Sequence, residues 1–210
     1  MGIHESQSRL WENMIGRSLP FWERYYGDFR RITGEFADVE LEKFYRAVNE
    51  VKPSLIRTEA DELTYNLHIM VRYELEKDLI NRRLRAADLP EAWNAKYKEY
   101  LGIEPPNHTL GVLQDVHWSG GGFGYFPSYS LGNMYAAQIM DAMRRALPDL
   151  DGLIREGRFG PIREWLTEKI YRHGKMLTPA EAIRSAAGAD LDPAYLTDYL
   201  TEKYTRLYNL

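Results

Sequence analysis

The sequence predicts an all-α protein, and three observations carry that expectation. Apolar residues recur at three- and four-residue spacing along most of the 210 residues. Strand-like alternation never lasts beyond a few residues around Val51 to Arg57. Glycine and proline concentrate in one stretch, Pro105 to Gly132, where an all-β chain would scatter them at regular intervals.

The elements follow in order. Leu10, Trp11, Met14 and Ile15 place a helix over Ser6 to Ile15, and Phe21, Trp22, Tyr25, Tyr26 and Phe29 a second, with Gly16 and Pro20 marking the break. Leu41, Phe44, Tyr45 and Val48 form a third stripe, closed by the Lys52-Pro53 step. The longest candidate runs from about Thr58 to Arg85, with Leu63, Leu67, Met70, Val71, Tyr73, Leu75, Leu79 and Ile80 on overlapping inward faces. Pro90 to Leu101 is helical by Trp93, Tyr97, Tyr100 and Leu101. Pro105, Pro106 and the run Gly120-Gly121-Gly122 then impose irregular backbone. Helical periodicity resumes from Tyr129 or Leu131 to Leu147 and again from Ile162 to Tyr171. Thr178-Pro179-Ala180-Glu181 reads as a capping box, and Asp192-Pro193 opens the final helix in the same way. No repeat or low-complexity segment divides the chain, so residues 1–210 are read as one portion.

Composition excludes several function classes. No apolar run approaches the roughly 18 residues of a membrane span, and the start Met1-Gly2-Ile3-His4-Glu5 lacks the order of a signal peptide, so the expected location is cytoplasmic. The absence of cysteine removes disulfides, thiolate metal sites and thiol nucleophiles together. With 27 Lys and Arg against 31 Asp and Glu, the net charge is -4, which argues against nucleic acid as a partner. A helix begins within a few residues of Met1, an abrupt start for a domain boundary.

Three stretches combine polar residues with irregular or helix-start backbone. His4 to Arg9 sets Glu5 one turn before Arg9, with His4 beside it; read alone, this is solvated surface. Ile56 to Asp61 places Arg57 and Asp61 four apart, the spacing of an ordinary helix ion pair. Gly111 to Tyr129 is richer, gathering Gln114, Asp115, His117, Trp118, Tyr125 and Tyr129 around the glycine run. Asp115 could orient His117 and a tyrosine could offer its hydroxyl to a developing oxyanion; the alternative is a packed aromatic corner around a satisfied histidine.

Taken together, the motifs His4-Glu5-Ser6-Gln7, Ile56-Arg57-x-x-Ala60-Asp61 and Gly111-x-x-Gln114-Asp115-x-His117-Trp118 resemble the zinc metallocarboxypeptidases of the carboxypeptidase Taq family. Gly124-Tyr125-Phe126-Pro127-Ser128-Tyr129, Leu131-Gly132-Asn133 and Ile162-Arg163-Glu164-Trp165-Leu166 extend the similarity over essentially the whole chain. The match is to the C-terminal part of the family pattern. The H-E-x-x-H helix that precedes the first motif in those enzymes, and supplies two zinc ligands and the general base, has no counterpart in these residues.

The resemblance implies roles residue by residue. Glu5 matches the third metal ligand, with His4 beside it as a supporting residue. His117 and Tyr125 or Tyr129 match the groups that meet the tetrahedral intermediate. Arg57 matches a residue for the substrate's C-terminal carboxylate, with Gln114 beside it, and Asp115 one that holds His117 in place. The implied cofactor is zinc, with cobalt accepted by the same ligands, and the implied partners are a peptide C-terminus and a second subunit. A chain of this extent is expected to be metal-free and inactive by itself. Three readings follow: a C-terminal part of a metallocarboxypeptidase, half of a split peptidase completed by another polypeptide, or a non-catalytic helical interaction domain.

Overall fold

The computed structural model describes residues 1–210 and contains no β-strand. Its ten α-helices are α1 (Gly2–Arg9), α2 (Leu19–Thr33), α3 (Leu41–Val48), α4 (Tyr65–Ile80), α5 (Leu89–Leu101), α6 (Pro127–Ala146), α7 (Leu150–Arg155), α8 (Gly160–Lys169), α9 (Pro179–Ala187) and α10 (Ala194–Tyr208). The residues form two compact units, Met1–Asn49 with Leu131–Leu210, and Glu50–Ser130.

In the first unit, α1 runs directly into a π-helical segment, Leu10–Ile15, where sequence periodicity predicts ordinary helix. The Gly16 amide reaches back five residues to the Trp11 carbonyl at 2.8 Å. Such widened turns are rare and recur beside functional residues. Helix α2 starts where Ser18 accepts a hydrogen bond from the Phe21 amide and stops at Gly34 in the left-handed region. Its aromatic face meets α3 at Phe44, whose ring centroid lies 4.6 Å from Trp22, 4.7 Å from Tyr26 and 5.3 Å from Phe29. The Tyr26 hydroxyl donates to the Val39 carbonyl at 2.7 Å. Helix α7 carries no signal in the sequence reading; six residues are too few for periodicity to register. The capping box at Thr178 and Glu181 forms as expected. At the last helix, Pro193 stands before the first helical residue and Asp192 accepts from the Ala194 amide at 2.9 Å, so the motif differs from the box at α9.

Close approach within this unit depends on Gly132 of α6. A Cβ there would stand 2.5 Å from the Glu5 Cβ and 3.1 Å from the Glu5 carbonyl carbon. Only glycine lets α6 lie against α1 at the residue that carries the Glu5 carboxylate.

The second unit centres on α4 and α5. Val71, Leu75, Trp93, Tyr97 and Leu101 form its dry core. The long helix expected from Thr58 to Arg85 is shorter at both ends. Asp61 intervenes at the start: its carboxylate accepts the Thr64 amide at 2.8 Å, the Thr64 hydroxyl at 2.7 Å and the Lys52 amide at 3.1 Å. Those bonds give the backbone a turn to adopt in place of helix. Arg57 to Glu59 make a single 3-10 turn, and at the other end Arg82 takes a positive φ of 57°. Helix α4 buries only part of the apolar set read as inward: Val71 and Leu75 are buried, and polar residues share the covered side. Leu63, just before it, and Met70, Tyr73 and Ile80 are exposed, while His68, Arg72 and Glu76 are buried at successive four-residue intervals.

Candidate functional site

The second unit assembles its polar centre from three elements: the turn at Arg57, the buried face of α4, and the loop from Gly111 to Phe126. Asp115 is the hub. Its Oδ1 accepts from Arg57 Nε at 3.0 Å and Nη2 at 2.7 Å, and its Oδ2 accepts from Arg72 Nε at 2.6 Å. The ion pair that sequence spacing suggests between Arg57 and Asp61 is not made; Arg57 turns to Asp115, fifty-eight residues away.

Two guanidiniums therefore share one carboxylate in a place largely closed to water. Arg72 is 0% exposed, and such an arrangement stands only if the remaining donors are satisfied. They are distributed widely. Arg72 Nη1 donates to the His68 carbonyl at 2.9 Å and to the Tyr97 hydroxyl at 3.3 Å, and Arg57 Nη1 donates to the Tyr65 hydroxyl at 3.1 Å. The planar faces are used too: Arg72 lies 4.6 Å from the Trp93 ring centroid and Arg57 4.9 Å from that of Tyr129. Burial works against ionising Asp115, but Arg72 and Arg57 outweigh it and hold its carboxyl below the ordinary range. Burial likewise opposes charge on His68, and with Arg72 and Arg57 close by its pKa falls to about 4. His68 is thus a neutral imidazole at pH 7.

Above this base sits the aromatic group. The His117 ring is 4.4 Å from Phe126 and 5.6 Å from Tyr125, and His117 Nε2 lies 3.2 Å from the Tyr129 hydroxyl. Its Nδ1 stands 3.7 Å from Asp115 Oδ1, beyond hydrogen-bond reach, so Asp115 touches His117 through charge and holds the arginines by direct bonds. Burial lowers the His117 pKa. Asp115 opposes this, and Arg57 and Arg72 reinforce it, leaving a neutral ring that can donate one hydrogen bond without carrying charge. Gln114 turns back on its own loop, its amide nitrogen donating to the Thr109 carbonyl.

The structure thus brings Arg57, Asp115, His117, Tyr125 and Tyr129 into one cluster. Glu5 and His4 belong to the first unit. Glu5 is partly buried on α1, its Oε2 3.5 Å from the Ser8 hydroxyl, and the neighbouring Gln7 accepts from the Tyr171 hydroxyl at 2.8 Å. His4 is exposed and no hydrogen bond ties it to Glu5, because consecutive residues on a helix project in different directions. In the 210 residues no three His, Asp or Glu side chains converge on a metal-sized site. One carboxylate at Glu5 falls short of the three protein ligands that a catalytic zinc takes, so these residues do not by themselves fit a resident metal.

Sequence reasoning missed Arg72, His68, Glu76 and Tyr65. A signal existed in the spacing His68, Arg72, Glu76, four apart on one helix face. It was overlooked because charged residues on a helix are read as its solvated side.

Comparison with known proteins agrees with this fold and its motifs. Carboxypeptidase 1 of Bacillus subtilis is 53% identical over the whole of this chain, which spans 42% of that protein. Thermostable carboxypeptidase 1 of Thermus thermophilus is 48% identical over 99% of the chain and 41% of its own length. Among solved structures, an M32 carboxypeptidase from Deinococcus radiodurans superposes with a TM-score of 0.96 at 46% identity, covering all of this chain and 42% of that one. Metallocarboxypeptidase 1 of Trypanosoma cruzi gives 0.93 at 45% identity, covering 97% of this chain and 41% of that one. The chain spans about two fifths of the length of these relatives. The carboxypeptidase Taq (M32) metallopeptidase family matches residues 1–204, and the chain belongs to that family.

Proposed function

We propose that these residues are the C-terminal, cleft-forming portion of a metal-dependent carboxypeptidase that removes C-terminal amino acids from peptides. The observation that carries the reading is the neutral His117 with Tyr129 at 3.2 Å and the Tyr125 ring beside it. Neutral imidazole and phenol hydroxyls are the donors suited to an oxygen that gains negative charge as a peptide carbonyl is attacked. Arg57 supports a carboxylate-binding role in part. Three of its five N–H donors go to Asp115 and Tyr65, so a substrate carboxylate would meet a guanidinium already fixed in place, with two N–H groups left to offer.

Glu5 contributes one metal ligand in this reading, and a preceding H-E-x-x-H helix contributes the others and the general base. Zinc is the metal proposed, with cobalt accepted by the same nitrogen and oxygen ligands. The portion alone is metal-free and inactive, whether that helix comes from the same polypeptide or from a separate N-terminal half. A dimer of the complete protein and a cytoplasmic location belong to the same proposal; no helix here is long and apolar enough to cross a membrane.

The test joins this chain to the preceding portion of the Bacillus relative and measures zinc-dependent release of a C-terminal amino acid. Activity is expected in the joined protein and not in the 210 residues alone. Glu5→Ala should abolish it, and His117→Ala should lower kcat by about 100- to 1,000-fold, the cost of losing one oxyanion donor. Full activity in the joined Glu5→Ala protein, or release by the zinc-loaded 210 residues, would overturn the assignment. The non-catalytic alternative predicts no activity in either form.

A further inference from the structure

We propose that Glu76 is a positioning residue that fixes His117 and Tyr125 relative to one another by gripping the glycine-rich loop between them at both ends. Glu76 lies on the buried face of α4 and is 6% exposed. Its Oε2 accepts the indole N–H of Trp118 at 2.8 Å, and its Oε1 accepts the backbone N–H of Gly124. Trp118 follows His117 directly and Gly124 directly precedes Tyr125. Each bond therefore holds the residue next to one of the two candidate oxyanion donors.

The need for such a grip is written in the loop. Ser119-Gly120-Gly121-Gly122-Phe123 contains three glycines, and Gly121 and Gly124 take φ values of 79° and 80°. Backbone of this kind has little intrinsic preference for one shape. A carboxylate suits two N–H donors because both of its oxygens accept, and each bond is charge-assisted. Trp118 passes the constraint on, stacked with Phe123 at 6.2 Å and edge-on to Phe126 at 5.9 Å. Glutamine in place of Glu76 could serve one end only, and would turn an N–H toward the donor at the other.

The importance of this grip for catalysis rests on the reading of His117 and Tyr125 above. The test reads geometry in the 210-residue chain, so it can succeed or fail whatever becomes of that reading. Nuclear magnetic resonance of the labelled chain follows three signals: the Trp118 indole proton, exchange of the Gly124 amide, and the titration of His117. Glu76→Gln keeps one acceptor oxygen and so releases at least one end: the Trp118 indole signal should move, or Gly124 exchange should speed by about tenfold or more, the loss of one charge-assisted bond. Glu74→Gln, on the same helix but bonded to Tyr100 and Lys96, should change neither signal.

Titration of His117 is read in Trp118→Phe, which keeps the Glu76 charge among the groups facing that ring, namely Asp115, Arg57, Arg72 and Glu76. Freeing the His117 end should hydrate the imidazole and raise its pKa toward the ordinary value, while the Gly124 amide stays protected. If Glu76→Gln does not fold, Trp118→Phe decides alone. An indole signal and a Gly124 exchange rate that are both unchanged in a folded Glu76→Gln chain, or an unchanged His117 titration in Trp118→Phe, overturn the proposal.

Discussion

Phe44 and Arg72 are both hidden from water, 7% and 0% exposed, yet they hold their surroundings together by opposite physics. Around Phe44, aromatic rings pack at 4.6 to 5.6 Å and one tyrosine hydroxyl finds one carbonyl. Each ring pair contributes about 0.5–1.5 kcal/mol beyond area burial, and no single pair is indispensable. Around Arg72, two cations, one carboxylate, a neutral histidine and two tyrosines are held by direction-specific bonds, with His68 Nε2 left without a partner. A dry core tolerates a change of shape better than a buried polar network tolerates a change of charge. The candidate site stands on the second kind of foundation.

The sharpest way to break the comparison is Asp115→Asn, which alters almost no volume. It leaves two buried guanidiniums without a counter-charge, and breaking a buried pair from one side costs about 3–5 kcal/mol. Urea unfolding at pH 7 measures it. A loss below 1 kcal/mol would mean that water reaches the arginines.

Acid should find the same region next. His68 titrates near 6.5 when unfolded but at about 4 in the folded chain, so between those values the unfolded state binds the extra proton. Stability from this residue is full above pH 6.5, falls as pH drops through the window, and is constant below about 4. The integrated loss is about 3 kcal/mol at most. Depressed Asp115 acts lower still: its contribution is present above the ordinary carboxylate range and is lost as pH falls through its folded value. Unfolding followed from pH 7 to pH 4 should show the His68 slope, which His68→Gln should flatten, and continuing below pH 4 should show the Asp115 part still in place.

How much of this was legible in the sequence divides along the same line. Packing that depends on periodicity was readable: the α2 stripe, α3 with Phe44, the capping box at Thr178, and the irregular stretch around Gly121. Motif residues Arg57, Asp115, His117, Tyr125 and Tyr129 were readable as a set, although not their bonds, because a guanidinium's choice between Asp61 and Asp115 is made by the fold. The polar face of α4 was not read. Hydrophobic patterning assigns inward faces to apolar residues alone: it places Val71 and Leu75 inside, as found, but also Met70, Tyr73 and Ile80, which are exposed, and it says nothing of His68, Arg72 and Glu76, which are buried. The π-helical turn after α1 leaves no compositional trace either.

Two further substitutions sharpen the contrast from the apolar side. Gly132→Ala places a methyl 2.5 Å from the Glu5 Cβ, so α1 and α6 must separate. Overpacking of this kind costs about 1–3 kcal/mol and should displace the Glu5 carboxylate. In the joined enzyme it should therefore weaken metal retention under dialysis more than it lowers the melting temperature. The smallest effect is expected at the centre of the aromatic cluster. Phe44→Leu keeps an apolar side chain of similar size among Trp22, Tyr26, Phe29 and Phe36, and these can close around it. A cost near 1 kcal/mol is expected, severalfold less than the near-isosteric Asp115→Asn, although Phe44→Leu changes shape far more. If the two losses prove equal, the rings around Phe44 are as rigidly specified as the ion network, and the distinction between a tolerant core and an exacting one fails for this protein.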